Sequence, residues 1–344
     1  MTTALPTTSR GIRLLAAPGG LPRPEHFTVT EEPLPAPGPG QLLVRNDQFL
    51  IFPGLRTLIG GKAEGVPLPP VHPGDAMFGP AVGEVVAAGE DTALHPGDQV
   101  MHLLGWREYA VVEAAACAPL GERLPAPVDH FAQGSSAYGA LTRLAELRPG
   151  DTVLVTGAAG AVGTLAGQIA RLLGAARVIG TTGSPSKAER LRKELGYDEV
   201  ILRGTPTPIA EQLAQAAPDG IDVTLDLVGG EQLTAAVNAS RQGARIALVG
   251  ALSGQFAATG NGGTSPAEFD TFRVVNQGIT IRGYRGADHA DVAEEWQERF
   301  GEWLRAGAIT FPYTRIAGMD RAPEALQGMF HGEHFGAVVV DLRP

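Results

Sequence analysis

The spacing of hydrophobic residues changes near residue 150. Before that point, short apolar or alternating runs stand between many Gly and Pro residues, as at 41–45 (QLLVR), 83–87 (GEVVA) and 109–112 (YAVV). Short strands separated by turn residues are typical of a β-rich, barrel-like unit. The first part of the chain is therefore predicted to form such a unit.

From Asp151 onward, strand-like runs alternate with helical runs. This alternation predicts a parallel, doubly wound sheet of the α/β class, as in a Rossmann domain. The predicted strands are 152–156, 177–181, 200–202, 223–227, 245–249 and 279–283, with a last strand at 336–341. The predicted helices include 160–173, 185–195 and 292–306, and the Gly-rich stretch 254–265 is predicted to be a loop.

A glycine-rich turn joins the first strand of this predicted sheet to its first helix. Glycine lets the backbone approach a pyrophosphate, and the N–H groups at the start of the helix favour a bound phosphate. Such turns also occur only to pack tightly, but here a strand precedes the turn and a helix follows it, which favours a dinucleotide site. The residues predicted to bind the dinucleotide are Gly157, Ala159, Gly160, Ala161, Val162 and Gly163.

The residues after the second strand distinguish NAD from NADP. NAD sites commonly have a carboxylate there, whereas 181–187 (TTGSPSK) contains none, and the first acidic residue is Glu189. NADP(H) is therefore the predicted cofactor. The alternatives are that Ser184 only caps the next helix and that Lys187 is a solvated helix residue. The predicted contacts to the 2′-phosphate are Gly183, Ser184, Lys187 and, after the third strand, Arg203.

Length and charge narrow the class of protein. A chain of 344 residues with 44% hydrophobic residues predicts two folded domains. The net charge of −10 is spread along the chain without a Lys/Arg block, which argues against nucleic acid or anionic membranes as partners. No apolar run approaches the ~20 residues of a membrane span, and no secretion signal is recognised, so a cytoplasmic protein is expected. The single cysteine, Cys117, excludes an intrachain disulfide.

Short motifs in the same order along most of the chain carry a family resemblance. They are 158–171 (AAGAVGTLAGQIAR), 180–187 (GTTGSPSK), 226–230 (DLVGG), 245–251 (RIALVGA), 281–284 (IRGY) and 332–338 (GEHFGAV). The chain thus resembles the medium-chain dehydrogenase/reductase superfamily, and within it the zinc-independent double-bond reductases and quinone oxidoreductases. These include leukotriene hydroxydehydrogenase and prostaglandin reductase. The resemblance implies hydride transfer from NADPH to the activated double bond of an enone or enal.

The resemblance also implies a domain plan. Residues 1–133 would form a GroES-like substrate and catalytic domain, 134–312 the NADP-binding Rossmann domain, and 313–344 a segment that returns to the first domain. Relatives form homodimers through the edge of the Rossmann sheet, where strand 279–283 would lie. A small-molecule substrate and a homodimer are therefore expected.

Departures from the family pattern change which metal ligands and cofactor contacts are expected. The zinc-dependent branch has Gly-His-Glu where this chain has 78–80 (FGP), and the chain lacks a cysteine quartet, so no catalytic or structural zinc is expected. The family's Asn before Val-Gly-Gly is Leu227 here, and its C-terminal Asn and Lys correspond to His334 and Ala337. The further cofactor contacts that the resemblance implies are Val228, Gly250, Leu252, Tyr284 and His334.

Candidate catalytic and substrate residues also follow from the resemblance. Tyr284 is the candidate hydrogen-bond donor to the substrate oxygen, although a one-residue gap in the match leaves Gly286 or Ala287 at the family's Tyr position. Its alternative role is packing beside the nicotinamide. Arg56 would bind a substrate carboxylate or phosphate, or form a structural salt bridge. Tyr138, on a helix predicted at 135–144, would contact substrate or pack between domains. The alternative functions are a quinone reductase and a nucleotide-binding homologue that has lost turnover.

Overall fold

The computed structural model describes residues 5–61 and 68–343. Backbone contacts divide the chain into two compact units. Unit 1 comprises Met1–Phe131, Ala257–Gly263 and Thr314–Pro344, and unit 2 comprises Ala132–Phe256 and Thr264–Tyr313. The short segment Ala257–Gly263 therefore packs with unit 1, although the sequence-based plan placed it in the Rossmann domain.

Unit 1 is built mainly from β-strands. In chain order its first elements are β1 (Thr8–Leu14), β2 (Phe27–Pro33), β3 (Gln41–Ile51), α1 (Leu55–Ile59), β4 (Ala81–Ala88), β5 (Gln99–His102), β6 (Tyr109–Glu113) and β7 (Ala118–Pro119). Strands β1 and β2 form an antiparallel pair. The three strands predicted in this region lie within β3, β4 and β6, which confirms the predicted β-rich unit.

Unit 2 alternates strands and helices. Its elements are α2 (Gly134–Gly139), β8 (Thr152–Val155), α3 (Gly163–Leu172), β9 (Arg177–Thr182), α4 (Pro185–Leu195), β10 (Glu199–Leu202), α5 (Ile209–Ala216), β11 (Ile221–Asp226), α6 (Gly230–Ala239), β12 (Ser240–Leu248), α7 (Leu252–Gln255), α8 (Thr271–Gln277), β13 (Thr280–Gly283) and α9 (Ala290–Arg305). The last elements of the chain are β14 (Tyr313–Ala317), α10 (Ala322–Phe330) and β15 (Ala337–Asp341).

The main sheet of unit 1 has seven strands, with β3 near its centre. Its order is β14-β15-β3-β4-β5-β7, and β6 pairs with the other part of β3. The last strand, β15, runs antiparallel to β3, with Val338 opposite Ile51. Apolar side chains of β3, β4, β5 and β6, including Leu42, Val85 and Val100, form a buried cluster. The C-terminal strand is therefore part of the N-terminal sheet.

The sheet of unit 2 is parallel and doubly wound. Its order is β10-β9-β8-β11-β12-β13, so the chain moves outward from β8 to β10, then crosses to β11 and moves outward on the other side. Every predicted strand of this sheet is present, which confirms the Rossmann prediction. In such sheets ligands bind at the carboxyl ends of the strands where the order reverses, here between β8 and β11.

Two predicted boundaries in unit 2 were wrong, and one predicted helix is π-helical in its second half. Helix α3 begins at Gly163 rather than 160, because the preceding residues form the turn itself. The helix predicted at 135–144 is α2 followed by a π-helical turn, in which Ala145 N–H donates to Ala140 O over five residues. Strand β12 begins at Ser240 rather than 245, and the prediction missed its first part because the exposed residues after Ser240 carry no hydrophobic signal. Within the described ranges, none of the helices combines the length and hydropathy that crossing a bilayer requires.

Candidate dinucleotide-binding and active site

The glycine-rich turn leaves β8 at the point where the strand order reverses. Gly157 has a φ of +62°, a left-handed conformation that favours glycine. A Cβ atom at this position would lie 3.1 Å from Cγ2 of Val228 and 3.7 Å from Cδ1 of Leu252. The turn, the residues after β11 and the start of α7 therefore meet at one place. This brings together three positions that the sequence predicted to contact the cofactor.

Helix α3 begins in direct contact with this turn. A Cβ atom on Gly163 would lie 2.5 Å from the Gly157 carbonyl oxygen and 2.6 Å from Cα of Ala158, so only glycine fits. Gly160 and Ala161 are partly exposed in front of the helix. The first N–H groups of a helix have no partners within it and favour a bound anion. This backbone cradle fits the pyrophosphate of a dinucleotide, with Ala159 buried beneath it and Val162 partly exposed.

Side-chain hydrogen bonds beneath the turn hold its shape. The Thr156 hydroxyl donates to Asp226 Oδ1 at 2.7 Å and accepts the N–H of Leu227 at 2.8 Å. The other carboxylate oxygen of Asp226 accepts the N–H of Gly229 at 2.8 Å. Burial raises the pKa of Asp226, while the donated hydrogen bonds act in the opposite direction. The ends of β8 and β11 are thereby joined by a buried polar contact.

Two further side chains fasten the turn to its neighbours. The Thr181 hydroxyl accepts the N–H of Gly157 at 2.9 Å. The buried Tyr197 hydroxyl donates to the Gly163 carbonyl at 2.6 Å, and burial raises the pKa of this phenol. Its ring lies 2.4 Å from where a Cβ on Gly167 would be and 2.8 Å from where one on Gly180 would be. The sequence analysis did not predict these supporting contacts, although polar residues at the ends of buried strands indicate such hydrogen bonds.

A cation from the residue after β10, Arg203, lies at the end of β9. A Cβ atom on Gly183 would lie 3.3 Å from Nη2 of Arg203, so the guanidinium lies directly over this exposed glycine. The N–H of Arg203 donates to the Thr182 carbonyl at 2.9 Å. Ser184 caps α4 by accepting the N–H of Lys187 at 3.4 Å, which is the structural role weighed from the sequence. The four residues predicted at the 2′-phosphate are thus neighbours around the first turn of α4.

The segment after β12 approaches the end of β11 closely. A Cβ atom on Gly250 would lie 2.6 Å from the Leu227 carbonyl oxygen. The N–H of Leu252 donates to the same carbonyl at 3.2 Å. Leu227, which replaces the family's Asn, is buried. Gly250 therefore serves first as a spacer that lets α7 begin beside the turn.

Tyr284 continues the sheet beyond β13 and is half-buried. Its N–H donates to the Leu248 carbonyl at 2.8 Å, and its ring stacks on His289 with centroids 5.1 Å apart. A Cβ atom on Gly139 would lie 2.1 Å from the Tyr284 hydroxyl oxygen, so this phenol occupies space that the glycine leaves. Burial, and then Asp291, raise the pKa of Tyr284. The phenol therefore keeps its proton at neutral pH and can donate it in a hydrogen bond.

Tyr138 is part of the packing between α2 and α9. Its hydroxyl donates to the Glu295 carboxylate, and its ring centroid lies 6.0 Å from that of Trp296 and 6.1 Å from that of Trp303. The side chain is buried. This hydroxyl is already engaged within unit 2, and its contact with substrate stays a prediction.

Two predicted site residues lie in unit 1. The Nε2 atom of His334 is 2.9 Å from the Ala325 carbonyl, so the imidazole ties the segment before β15 to α10. Arg56, on α1, is fully buried and donates through Nη2 to the Gly260 carbonyl. No carboxylate within residues 5–61 and 68–343 pairs with Arg56, so the described part of the chain does not contain the structural salt bridge considered from the sequence.

Metal-binding side chains are not clustered in the described part of the chain. Within residues 5–61 and 68–343, no three His, Cys, Asp or Glu side chains come close enough together to hold a metal ion. Cys117 is half-buried, and burial raises the pKa of its thiol to about 11. That thiol is therefore protonated at neutral pH.

Two family models match the sequence. Residues 161–304 match the model described as "Zinc-binding dehydrogenase", and residues 10–120 match the model described as "N-terminal domain of oxidoreductase". The first match begins at Ala161, at the end of the turn, and covers the Arg203 region and the strands from β9 to β13. The second covers most of the β-rich part of unit 1.

Similar proteins extend over nearly the whole chain. YfmJ of Bacillus subtilis, provisionally named an NADP-dependent oxidoreductase, is 33% identical over 334 residues and 96% of each chain is covered. The NADPH-dependent curcumin reductase of Escherichia coli is 31% identical over 338 residues, with 95% of each covered. The crystal structure of CurA from Vibrio vulnificus in complex with NADPH has a TM-score of 0.87 at 29% identity, covering 97% of this chain and 99% of that one.

Proposed function

This chain belongs to the zinc-independent double-bond reductases of the medium-chain dehydrogenase/reductase superfamily, and on that premise we propose that it reduces activated carbon–carbon double bonds with NADPH. The observation that carries the cofactor assignment is the Arg203 guanidinium over Gly183, beside a backbone cradle. A cation at the end of the second strand, without a carboxylate, suits the 2′-phosphate of NADP. The NADPH dependence that names the Escherichia coli relative supports the same cofactor.

The residues of unit 2 would hold the cofactor along the carboxyl ends of its strands. The backbone from Gly157 to Gly163 would receive the pyrophosphate, and Arg203 with Lys187 the 2′-phosphate. Val228 and Leu252 would border the cofactor at the switch point. NADPH supplies the hydride when it is bound. In the proposed plan, residues 134–312 form the NADP-binding domain, and 1–133 with 313–344 form the substrate domain.

The chain's own part in the chemistry is orientation and electrostatic support. Addition of hydride at the β-carbon leaves negative charge on the conjugated oxygen until the α-carbon takes a proton, and a hydrogen-bond donor stabilises that charge. We propose the protonated phenol of Tyr284 as this donor. Replacing Tyr284 by Phe is expected to lower kcat more than it raises KM. Tyr313→Phe, at an exposed tyrosine of the same unit, is the matched control.

The experiment that tests the function is steady-state NADPH oxidation with a panel of enones, enals and quinones, followed by product analysis. We expect saturated ketones and aldehydes, with deuterium at the β-carbon when 4-deuterated NADPH is used. Faster turnover of quinones than of any enone would favour the quinone reductase alternative. Tight NADPH binding without turnover of any substrate would favour the non-catalytic homologue.

We also propose that two copies of the chain pair through the edge of the unit 2 sheet. Strand β13 ends that sheet, and the adjoining helix α8 exposes 71% of Phe272 and 75% of Val275. Phe269, by contrast, packs onto the cluster around Ile279. An edge strand with exposed apolar neighbours invites pairing with another copy. Cytoplasmic location stays a prediction.

The pairing can be tested at one residue of β13. Thr280→Pro removes a backbone donor from the strand and is expected to shift the protein from dimer to monomer in light scattering. Thr234→Val, on α6 of the same unit, is the control for a general loss of folding. A wild-type protein that is monomeric across a dilution series and fully active would contradict the proposal.

A further inference from the structure

Two neighbours within unit 2 confine the aromatic ring of Tyr284. The phenol stacks on the imidazole of His289, with an interplanar angle of 2° and ring centroids 5.1 Å apart. Parallel rings at this separation form an offset stack, which is a preferred arrangement of aromatic pairs. At the other end of the ring, the hydroxyl fills the space beside Gly139, where a Cβ atom would lie 2.6 Å from Cζ of the tyrosine. The ring is therefore held both at one face and at its hydroxyl end.

The backbone on either side of the imidazole is itself fixed. The N–H of His289 donates to the Gly286 carbonyl at 3.1 Å, and the His289 carbonyl accepts the N–H of Val292 at 3.1 Å. His289 directly precedes helix α9, so the second hydrogen bond belongs to the first turn of that helix. Because its backbone is already ordered, His289 can hold its imidazole against the phenol at a small entropic cost.

Gly139 is joined to the same helix. It ends α2, and the residues that follow form the π-helical turn that carries Arg143. Nη2 of Arg143 donates to the Asp291 carboxylate at 3.1 Å, and Asp291 lies in the first turn of α9. Turns of this kind are frequent at functional sites. The glycine that leaves space for the hydroxyl and the histidine that stacks on the ring are therefore both held at the start of α9.

The hydroxyl of Tyr284 is confined but has no protein partner. Within residues 5–61 and 68–343 it forms no hydrogen bond, and its oxygen is not sealed from solvent. The Tyr138 hydroxyl, by contrast, donates to the Glu295 carboxylate. A phenol can donate one hydrogen bond, so the Tyr284 hydroxyl is available to an acceptor from outside the protein.

The position of Tyr284 in the sheet favours the nicotinamide end of the cofactor. The 2′-phosphate belongs to the adenosine half of NADPH, and its proposed contacts lie at the end of β9. With the pyrophosphate at the turn after β8, the other half of the dinucleotide would extend over β11, β12 and β13. Tyr284 follows β13 directly, and its N–H donates to the Leu248 carbonyl at the end of β12. The phenol would thus lie on the side from which the hydride is transferred.

From this geometry we propose that His289 is a positioning residue, which fixes the direction of the Tyr284 hydroxyl by stacking on its ring. The inference rests on the proposed function, since it explains how the proposed hydrogen-bond donor is held for the same reaction. A donor stabilises the charge that develops in the transition state most strongly when its orientation is set in advance. Loss of the stack should therefore lower turnover more than it weakens the binding of substrate.

The kinetic test is a double-mutant cycle with 3-nonen-2-one as the enone. His289→Ala should lower kcat roughly tenfold because the donor is misplaced, and should change the KM values for enone and NADPH by less than about twofold. His289→Phe keeps a flat ring and should restore most of kcat. In the Tyr284→Phe background, His289→Ala should have almost no further effect, because the hydroxyl through which it acts is gone. His72→Ala, at an exposed histidine of unit 1, is the control and should leave kcat unchanged.

The cycle distinguishes positioning from a purely structural role. A structural His289 would lower kcat by the same factor with and without the Tyr284 hydroxyl, and that result would overturn the inference. Failure of His289→Phe to restore kcat would also overturn it, because stacking would then not be what the reaction requires.

An NMR measurement tests the stack without turnover. The chain has five tyrosines, which can be labelled with 13C at their ε carbons, and the signal that disappears in Tyr284→Phe is that of Tyr284. The ring current of the imidazole should displace this signal in the wild type. The displacement should be lost in His289→Ala and kept in His289→Phe and His72→Ala. An unchanged signal in His289→Ala would contradict the inference.

The two measurements separate this inference from the proposed function. If no enone is reduced but the signal changes as expected, the reductase proposal fails and the placement of the phenol by His289 stands. If enones are reduced and Tyr284→Phe lowers kcat, but His289→Ala alters neither the signal nor kcat, only the positioning role fails. A changed signal with an unchanged kcat in an active His289→Ala enzyme would likewise overturn the positioning role.

Discussion

The inner and outer parts of the candidate cofactor site are built in different ways. The inner part is the turn Gly157–Gly163 with the buried hydrogen bonds beneath it, and at Gly163 there is no room for one more carbon atom. The outer part is Gly183, Lys187 and Arg203, which lie at the surface around the start of α4. In the inner part, backbone N–H groups would bind the pyrophosphate. In the outer part, charged side chains would bind the 2′-phosphate.

Because of this difference, the inner part would provide binding of any dinucleotide, and the outer part would distinguish NADPH from NADH. The inner contacts use groups common to every dinucleotide, and they depend on the packing of the whole sheet. The outer contacts involve only the 2′-phosphate, and water and salt weaken them. Changes in the inner part should therefore affect folding and both cofactors, whereas changes in the outer part should affect NADPH alone.

The largest effect is expected for Gly163→Ala. The added Cβ would lie 2.5 Å from the Gly157 carbonyl, so the turn and α3 would have to move apart. We expect a loss of about 3 kcal/mol in the free energy of unfolding, and no measurable binding of NADPH or NADH. Chemical denaturation and cofactor fluorescence measure the two quantities.

Gly160→Ala is the control for Gly163→Ala. At Gly160 the nearest atom to an added Cβ is the Gly157 carbonyl oxygen, at 3.5 Å, an ordinary contact distance. The free energy of unfolding should therefore change much less. Equal losses in the two variants would show that close packing is not what requires glycine at 163.

A smaller effect is expected for Thr156→Val, which removes the hydroxyl that joins β8 to Asp226. The substitution keeps the shape of the side chain but leaves a buried acceptor without its donor, at a cost of about 2 kcal/mol. Thr224→Val is a matched control, because the Thr224 hydroxyl is buried and has no hydrogen-bond partner among the described residues. That variant should be neutral or slightly more stable. Equal losses of stability in Thr156→Val and Thr224→Val would show that the hydrogen bond to Asp226 does not support the inner part.

The outer part should show smaller and selective effects. Lys187→Ala and Arg203→Met are each expected to raise the KM for NADPH roughly fivefold, about 1 kcal/mol, after allowance for solvent. The KM for NADH should barely change, because NADH lacks the 2′-phosphate. Cofactor kinetics at low and high salt provide the measurement, and the NADPH effect should shrink at high salt. A parallel loss for both cofactors would remove these residues from the phosphate site.

No effect is expected from removing metal ions. Neither part of the site includes a group of side chains that could hold a metal, among the residues that the structure describes. Dialysis against a strong chelator should leave NADPH oxidation unchanged. Stoichiometric zinc in the active protein, with activity lost on its removal and restored on its return, would contradict the zinc-independent assignment.

The sequence was informative where the signal is local. The strands of unit 2 could be predicted from their apolar runs, and the turn from its glycines, because each pattern lies within a few consecutive residues. The hydrogen bond between Thr156 and Asp226 could not be predicted, because the two residues are 70 positions apart and are brought together only by the strand order. The contact between Gly139 and Tyr284 was missed for the same reason. Segment Ala257–Gly263 was predicted only as a loop, because its place in unit 1 depends on contacts with α1.

The pairing of β8 with β11 has a consequence for protein synthesis. Strands β8, β9 and β10 leave the ribosome one after another and can assemble as a half-sheet, but the free side of β8 must wait for Val223 to pair with Val153. Until then an apolar strand edge is open to incorrect partners, a situation in which nascent chains depend on chaperones. A ribosome-bound chain that ends before β11 would lack the Asp226 support of the turn. The cofactor can therefore stabilise this enzyme only after the second half of its Rossmann sheet has been made.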